Sequence, residues 1–232
     1  MRILIIGAGG HGQVIADILL SGLQRGGELR PCGYVDQDER LWQQMLLDVP
    51  VLGPVDARAT FDHDAVIVGI GDNLTRRRLF ELLLAGGEHL ATASHPSAVL
   101  SASCAIGDGT VICAGVVVNP AARVGANVIL NTGCTVEHHN QIGEHAHIAP
   151  GVRLGGHVTI GQGALVGIGA TVLPGRRVGA WSIVGAGAVV TRDLPDGVVA
   201  VGTPARVTRP RVVRQPRLSP RDWALSATAR RA

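Results

Sequence analysis

The sequence predicts a small α/β domain followed by a three-sided solenoid of short parallel strands, and three observations carry that prediction. From Leu100 to Val190 every sixth residue is Leu, Ile or Val, sixteen times without a miss. On top of that rhythm, Ile106-Gly107, Val124-Gly125, Ile142-Gly143, Ile160-Gly161 and Val178-Gly179 recur every eighteen residues. Before it, residues 1 to about 97 lack the period and alternate strand-like apolar runs with helical spacing.

The first segment reads as a strand over Arg2 to Ile6, a glycine loop, a helix from about Gly12 to Leu23, and a strand ending at Tyr34-Val35-Asp36. A polar helical stretch follows, then a strand over Ala65 to Val68. A helix opened by Asn73 carries its apolar residues at Leu79, Leu82 and Leu83, and a short strand is expected near Leu90 to Ala93. Strands that alternate with helices form a parallel sheet. Proline breaks both patterns, so His95-Pro96-Ser97 marks the joint and the first domain spans residues 1–97.

The second segment, 98–210, follows from the period itself. A helix repeats its buried stripe every 3.6 residues and a strand every 2, so a strict six fits neither. A solenoid with short flat faces fits, because one inward side chain per face stacks on its counterpart in the next coil. Three six-residue faces make one triangular coil of eighteen. The position two before each aliphatic is usually small or β-branched (Cys104, Thr110, Ala122, Cys134, Ala146, Ala164, Ala188), as a cramped interior corner demands. Five coils at about 4.8 Å per strand reach roughly 25 Å. Leu194-Pro195-Asp196-Gly197 ends the regular stacking, and a return segment runs from Val201 to Arg206.

Composition narrows the function classes. Aromatic residues are only 3% against 46% hydrophobic, which suits a narrow aliphatic core. No apolar run reaches the length of a membrane span, and the start of the chain has no signal-peptide pattern, so a cytoplasmic location without membrane insertion is expected. All 21 basic residues are Arg, which removes Schiff-base and P-loop lysine chemistry. The four cysteines make no CxxC pair; Cys104 and Cys134 fall in interior slots and read as core thiols. From Arg206 onward there are eight Arg against the single acid Asp222. This basic tail, 211–232, has one aromatic residue and no nucleic-acid module beside it, so nucleic acid is not the expected partner.

Two constellations carry chemistry. Gly7-Ala8-Gly9-Gly10-His11-Gly12 satisfies GxGxxG between a strand and a helix, with Asp36 at the end of the second strand. Glycines let backbone N–H groups approach a diphosphate at a helix N-terminus, and an acid there can accept from a ribose. A Rossmann-like unit of about 97 residues has too few elements for a second mononucleotide half, so one nucleotide diphosphate fits best. The second constellation is Asn131, Glu137, His138, His139, Asn140, His145 and His147; five of the nine histidines fall between 138 and 157. Imidazole titrates near physiological pH and can take a proton from an attacking amine or hydroxyl. The same residues leave open a three-His zinc site that pairs His138 or His139 with His157 of a neighbouring chain, but no metal is expected.

Four segments, in uninterrupted order across residues 1 to about 210, carry a resemblance. They are the glycine loop, Asn131-Thr132-Gly133 through Glu137-His138, His147-Ile148-Ala149-Pro150-Gly151, and Val201-Gly202-Thr203-Pro204-Ala205-Arg206. Together they resemble the sialic-acid O-acetyltransferase-like family, which includes N-acetyltransferases of UDP-4-amino sugars and of GDP-perosamine. The resemblance implies a left-handed parallel β-helix (hexapeptide-repeat solenoid) and a homotrimer with acetyl-CoA lying between adjacent prisms. It assigns His138 as general base, and His147, Gly156, Ile168, Gly202, Thr203 and Pro204 to acetyl-CoA. Gly9, Gly10, His11 and Asp36 go to the nucleotide sugar, and Asn131 lies close to the sugar. Family members often follow the base with Asp or Glu; here that place is His139, so either Glu137 supplies the orienting charge or the base works without one.

The activity this implies is acetyl-CoA-dependent N-acetylation of a nucleotide-linked amino sugar in surface-glycan biosynthesis, by direct attack without an acyl-enzyme. The alternatives are O-acetylation of a sugar of the sialic-acid type, or sugar-nucleotide binding without catalysis. The glycine loop favours the first.

Overall fold

The computed structural model describes residues 1–212, so the basic tail expected over 211–232 lies almost wholly outside the described residues. The chain divides into two compact units, the first over Met1–Pro96 and the second starting at Ser97.

The first unit is built on a five-stranded sheet. Strands β1 (Arg2–Ile6), β2 (Arg30–Val35), β3 (Met45–Leu46), β4 (Val49–Gly53) and β5 (Ala65–Val68) lie in the order β3-β4-β2-β1-β5. All neighbours are parallel except β3 with β4. Ile3 to Ile6 and Ala65 to Val68 are buried throughout, the continuous apolar run expected of parallel strands covered on both faces. Helix α1 (Gly10–Leu23) buries Ile15, Ile18 and Leu19, and helix α2 (Asn73–Ala85) buries Leu79, Phe80 and Leu83.

Local chemistry sets the differences from expectation. Asn73 is the first residue of α2, but Asp72 is its cap, accepting from the Thr75 N–H at 2.9 Å. The stretch read as helical is a 3₁₀ turn over Glu39–Leu41 followed by the β3–β4 hairpin. Leu47 and Asp48 make that hairpin's turn at φ 54° and 58°, a conformation usually marked by Asn-Gly, so no turn signal was present. The strand expected over Leu90 to Ala93 reduces to one bridge from Leu90 to Val66 and a two-residue strand at Ala93–Ser94.

The second unit is a parallel β-helix. Each hexad contributes a two-residue strand, and strands eighteen residues apart pair in parallel, as Val117↔Thr135, Thr135↔Arg153 and Arg153↔Thr171 show. The three faces of one coil are Thr135–Val136, Gln141–Ile142 and His147–Ile148. The second residue of each strand points inward, and every one from Ile112 to Val190 is buried. Leu100, in the first coil, remains 37% exposed. The return segment is an antiparallel pair, Val198–Val201 with Arg206–Pro210.

Corners turn in the left-handed backbone region, again every sixth residue. Gly133, His139, His145, Gly151, His157, Gly163 and Gly169 all have φ between 58° and 69°. Glycine adopts this freely; other residues pay about 1–2 kcal/mol, least for small polar types. Hydrogen bonds to the preceding coil hold the corners: His139 N–H donates to Pro120 O at 3.1 Å, and His157 N–H to His138 O at 3.0 Å.

Candidate active site

In the first unit, the loop between β1 and α1 is shaped by backbone approach. Gly7 has φ 107°, and a Cβ on Gly12 would stand 2.0 Å from Gly7 O, so these two glycines are required by the chain's own packing. Gly9 and Gly10 differ: a Cβ there would meet nothing within 4 Å, and their bareness opens the helix N-terminus outward. Gly9 caps α1 with no side-chain hydrogen bond, and the first turn carries no acid, leaving the helix end ready for an anion.

Asp36 is engaged with the protein itself. Its carboxylate accepts from the Ala8 N–H at 2.7 Å and the Asp38 N–H at 2.9 Å, pinning the glycine loop to the end of β2. His11, on the first turn of α1, has its Nε2 enclosed with no hydrogen-bond partner among the described residues. Burial, reinforced by the positive Arg76, holds the His11 imidazole down to about 4. Arg76 is itself 1% exposed and donates to Ile70 O and Gly71 O. The buried Arg76 was not singled out from sequence, since an Arg on a helix ordinarily reads as a solvated face.

In the second unit, the residues expected to act together lie on two different edges of the triangular prism. One edge, between the first and second faces, carries Glu137, His138, His139, Gly156 and His157. The His138 ring rests on the Gly156 backbone, and His138 Nδ1 lies 3.2 Å from His139 Nδ1. His157 is one coil on from His139, so their rings stack with centroids 4.8 Å apart and planes at 14°. That separation is the strand spacing of the solenoid. The three imidazoles thus assemble within one chain, with no neighbouring chain required. Glu137 turns away: its carboxylate accepts from Asn119 Nδ2 at 2.8 Å, and the ring nitrogen of His138 meets His139 instead.

The other edge, between the third face and the first, carries Asn131, Ile168 and the Gly202-Thr203-Pro204 turn. Asn131 Nδ2 lies 3.2 Å from Nε2 of His147, which projects from the third face. Ile168 is 62% exposed, and Thr203 Oγ1 donates to Gly187 O at 3.4 Å. Nine residues, half a coil, separate His138 from His147, so one prism presents them in opposite directions. His145, by contrast, is buried and bonded to Asn127 Nδ2 at 2.8 Å, a core contact.

Neither buried cysteine of the coil is poised as a nucleophile. Burial pushes the Cys113 thiol up to about 11 and the Cys134 thiol up to about 12, which keeps both protonated.

A Rossmann-like unit followed by a hexapeptide-repeat β-helix is the architecture of the hexapeptide acyltransferase class. Residues 2–83 match the PglD N-terminal domain, and residues 157–192 match the bacterial transferase hexapeptide (six repeats). PerB from Caulobacter crescentus, solved with CoA and GDP-perosamine, is 38% identical with a TM-score of 0.82, over 90% of this chain and 98% of that one. The acetyltransferase domain of PglB from Neisseria gonorrhoeae, also solved with acetyl coenzyme A, is 34% identical with a TM-score of 0.81, over 89% of this chain and 98% of that one. The UDP-N-acetylbacillosamine N-acetyltransferase of Bacillus subtilis is 38% identical over 115 residues, 49% of this chain. That match spans only about half the length of the Bacillus protein, 51%. The chain belongs to the PglD-like family of hexapeptide-repeat N-acetyltransferases.

Proposed function

We propose that this chain transfers the acetyl group of acetyl-CoA to the amino group of a nucleotide-linked amino sugar, a step in building a surface glycan. The observation that carries the reading is the His138 ring, seated on Gly156 with its Nδ1 against His139. Two neutral Nδ1 atoms at that distance must share one proton. When His138 Nδ1–H donates to His139, the lone pair of His138 stands on Nε2, toward Gly156, and His138 is a base there. His139 thereby takes the orienting part, and Glu137 supports the corner through Asn119.

The nucleotide diphosphate docks on the Gly9-Gly10-His11 turn at the start of α1, with Asp36 holding the loop in shape. The sugar amine attacks the thioester carbon directly. His138 Nε2 takes the proton released from nitrogen, and the Gly156 N–H stabilises the tetrahedral oxyanion. Collapse expels the CoA thiolate, which recovers the proton from Nε2–H. Positioning both reactants and general-base catalysis (typically 10²- to 10⁴-fold) are the two sources of rate.

His147, Asn131, Ile168 and Thr203 face away from His138 on the same prism. The reading therefore places acetyl-CoA between the His147 edge of one protomer and the His138 edge of another, in a homotrimer. No helix among the described residues is long and apolar enough to cross a membrane, and the proposed location is the cytoplasm.

The test is thiol release from acetyl-CoA with a panel of UDP-, GDP- and TDP-linked amino sugars, sialic acid as the hydroxyl acceptor, and sedimentation of the purified chain. Release only with an amino sugar by a trimer is expected. Release with sialic acid alone, or tight nucleotide binding with no release, overturns it.

A further inference from the structure

We propose that His138, His139 and His157 form a binding site for a divalent transition metal, Zn²⁺ fitting best, and that its occupation shuts off the base at His138. The metal is an inhibitor, not a cofactor; the transfer written above needs none. The shut-off rests on that reading of His138, whereas the site stands on geometry alone.

The three side chains each offer one ligand nitrogen, and these atoms lie within 4.8 Å of one another. His138 Nδ1 and His139 Nδ1 are already 3.2 Å apart. Two nitrogens on a tetrahedral zinc, each about 2.05 Å from the ion, stand about 3.3 Å apart. One edge of the coordination tetrahedron is therefore preformed. The His138 ring meets the other two nearly at right angles, 83° and 84°, with centroids 5.3 and 5.2 Å away. All three side chains are exposed, so the rotation that brings the His157 nitrogen inward gives up only its stack on His139, and three protein ligands leave the fourth tetrahedral position for water.

The scaffold explains why the cluster persists. His139 and His157 occupy equivalent corners in successive coils, at φ 60° and 58°. Each is tied by its backbone N–H to the coil before it. Ligands on a stacked, hydrogen-bonded rung lose little freedom on binding, unlike ligands on a loop. The donor set selects the ion. Three imidazoles suit Zn²⁺, Cu²⁺ or Ni²⁺, while Mg²⁺ and Ca²⁺ want oxygen ligands. The nearest acid in sequence, Glu137, is turned to Asn119.

Proton accounting links occupation to inhibition. The metal takes the lone pairs of both Nδ1 atoms, so the one proton that lay between them passes through solvent to His138 Nε2 and none is lost overall. A neutral His138 ring ligated through Nδ1 then carries its single proton on Nε2. That nitrogen has no lone pair for the ammonium proton of the attacking sugar, and transfer stops until the metal leaves.

The full chain, stripped with EDTA and dialysed, is titrated with Co²⁺ while the visible d–d absorption is recorded, and with Zn²⁺ against a chromophoric chelator. One metal per chain is expected, with affinity about tenfold or more weaker in His157→Asn. Asn keeps the left-handed corner, and circular dichroism checks the fold. His139→Asn gives a second, independent binding measurement. In product-formation assays, Zn²⁺ should lower turnover of the natural chain reversibly, with EDTA restoring it. His157→Asn should keep its metal-free turnover and resist Zn²⁺. Equal metal affinity in the natural chain and both variants, or no uptake at micromolar metal, overturns the site. Uptake lost in the variants, with turnover indifferent to bound Zn²⁺, upholds the site and overturns the role given to His138.

Discussion

Gly156 lies so close to the His138 ring that a Cβ built on it would stand 2.6 Å from both Cε1 and Nε2. The glycine is thus the floor of the imidazole, and its backbone needs no left-handed angle. Gly156→Ala should fold normally, because the obstructing atoms belong to an exposed side chain that can swing away. The ring would then leave its seat beside the Gly156 N–H proposed to hold the oxyanion, and kcat should fall by about 10² or more, at the scale of losing the base. Steady-state kinetics beside thermal unfolding checks this; unchanged kcat would remove the contact from the mechanism.

His139 is expected to act through the tautomer of its neighbour. His139→Gly keeps the left-handed corner but removes the acceptor for His138 Nδ1–H, so kcat should drop while KM for acetyl-CoA holds. His139→Asp restores an acceptor and should recover most of the loss. Equal kcat in the two variants would show that the ring needs no partner on that side.

Asp36 should matter twice. Its two carboxylate oxygens hold the Ala8 and Asp38 N–H groups. Asp36→Ala strands both donors, which costs about 1–3 kcal/mol if they stay dry. It should also raise KM for the nucleotide sugar and leave KM for acetyl-CoA alone. Urea unfolding and two-substrate kinetics on one preparation separate these effects; a matching rise in both KM values would contradict them.

His11 gives the first unit a pH dependence with a definite sign. Its ring is held down to about 4 in the fold, by burial first and Arg76 second, against an ordinary value of 6.5. Between those values the unfolded chain binds the proton and the fold refuses it. The stability His11 contributes is therefore complete above about pH 6.5 and lost as pH falls toward 4. His11→Gln should show a smaller fall in urea midpoint from pH 7.5 to 4.5 than the natural chain. Parallel falls in the two proteins would mean that other groups set the acid limb.

Much of this architecture could be read from residue spacing. The inward aliphatics from Ile112 to Val190 sit where the six-residue period places them, because a repeat only lets like stack on like. Strand β1 and helix α1 followed from an apolar run and a glycine loop. The β3–β4 hairpin escaped because Leu47 and Asp48 adopt a turn that their side chains do not advertise. Glu137 looked like the orienting charge because it precedes the base, but successive residues at a corner point in different directions. His139 and His157 could have been paired by adding eighteen, the length of one coil.

The sequence by itself determined the repeat, the glycine loop and the lack of a lysine chemistry. Those are one-dimensional properties: a period, a spacing, a residue type. Only the tertiary structure decided that His138 and His147 stand on opposing sides of one prism, that Arg76 is enclosed beside His11, and that three imidazoles converge on one edge. Direction is the reason: side-chain orientation at a corner depends on where the preceding coil's carbonyls hold the backbone, and no pattern of letters along the chain records that.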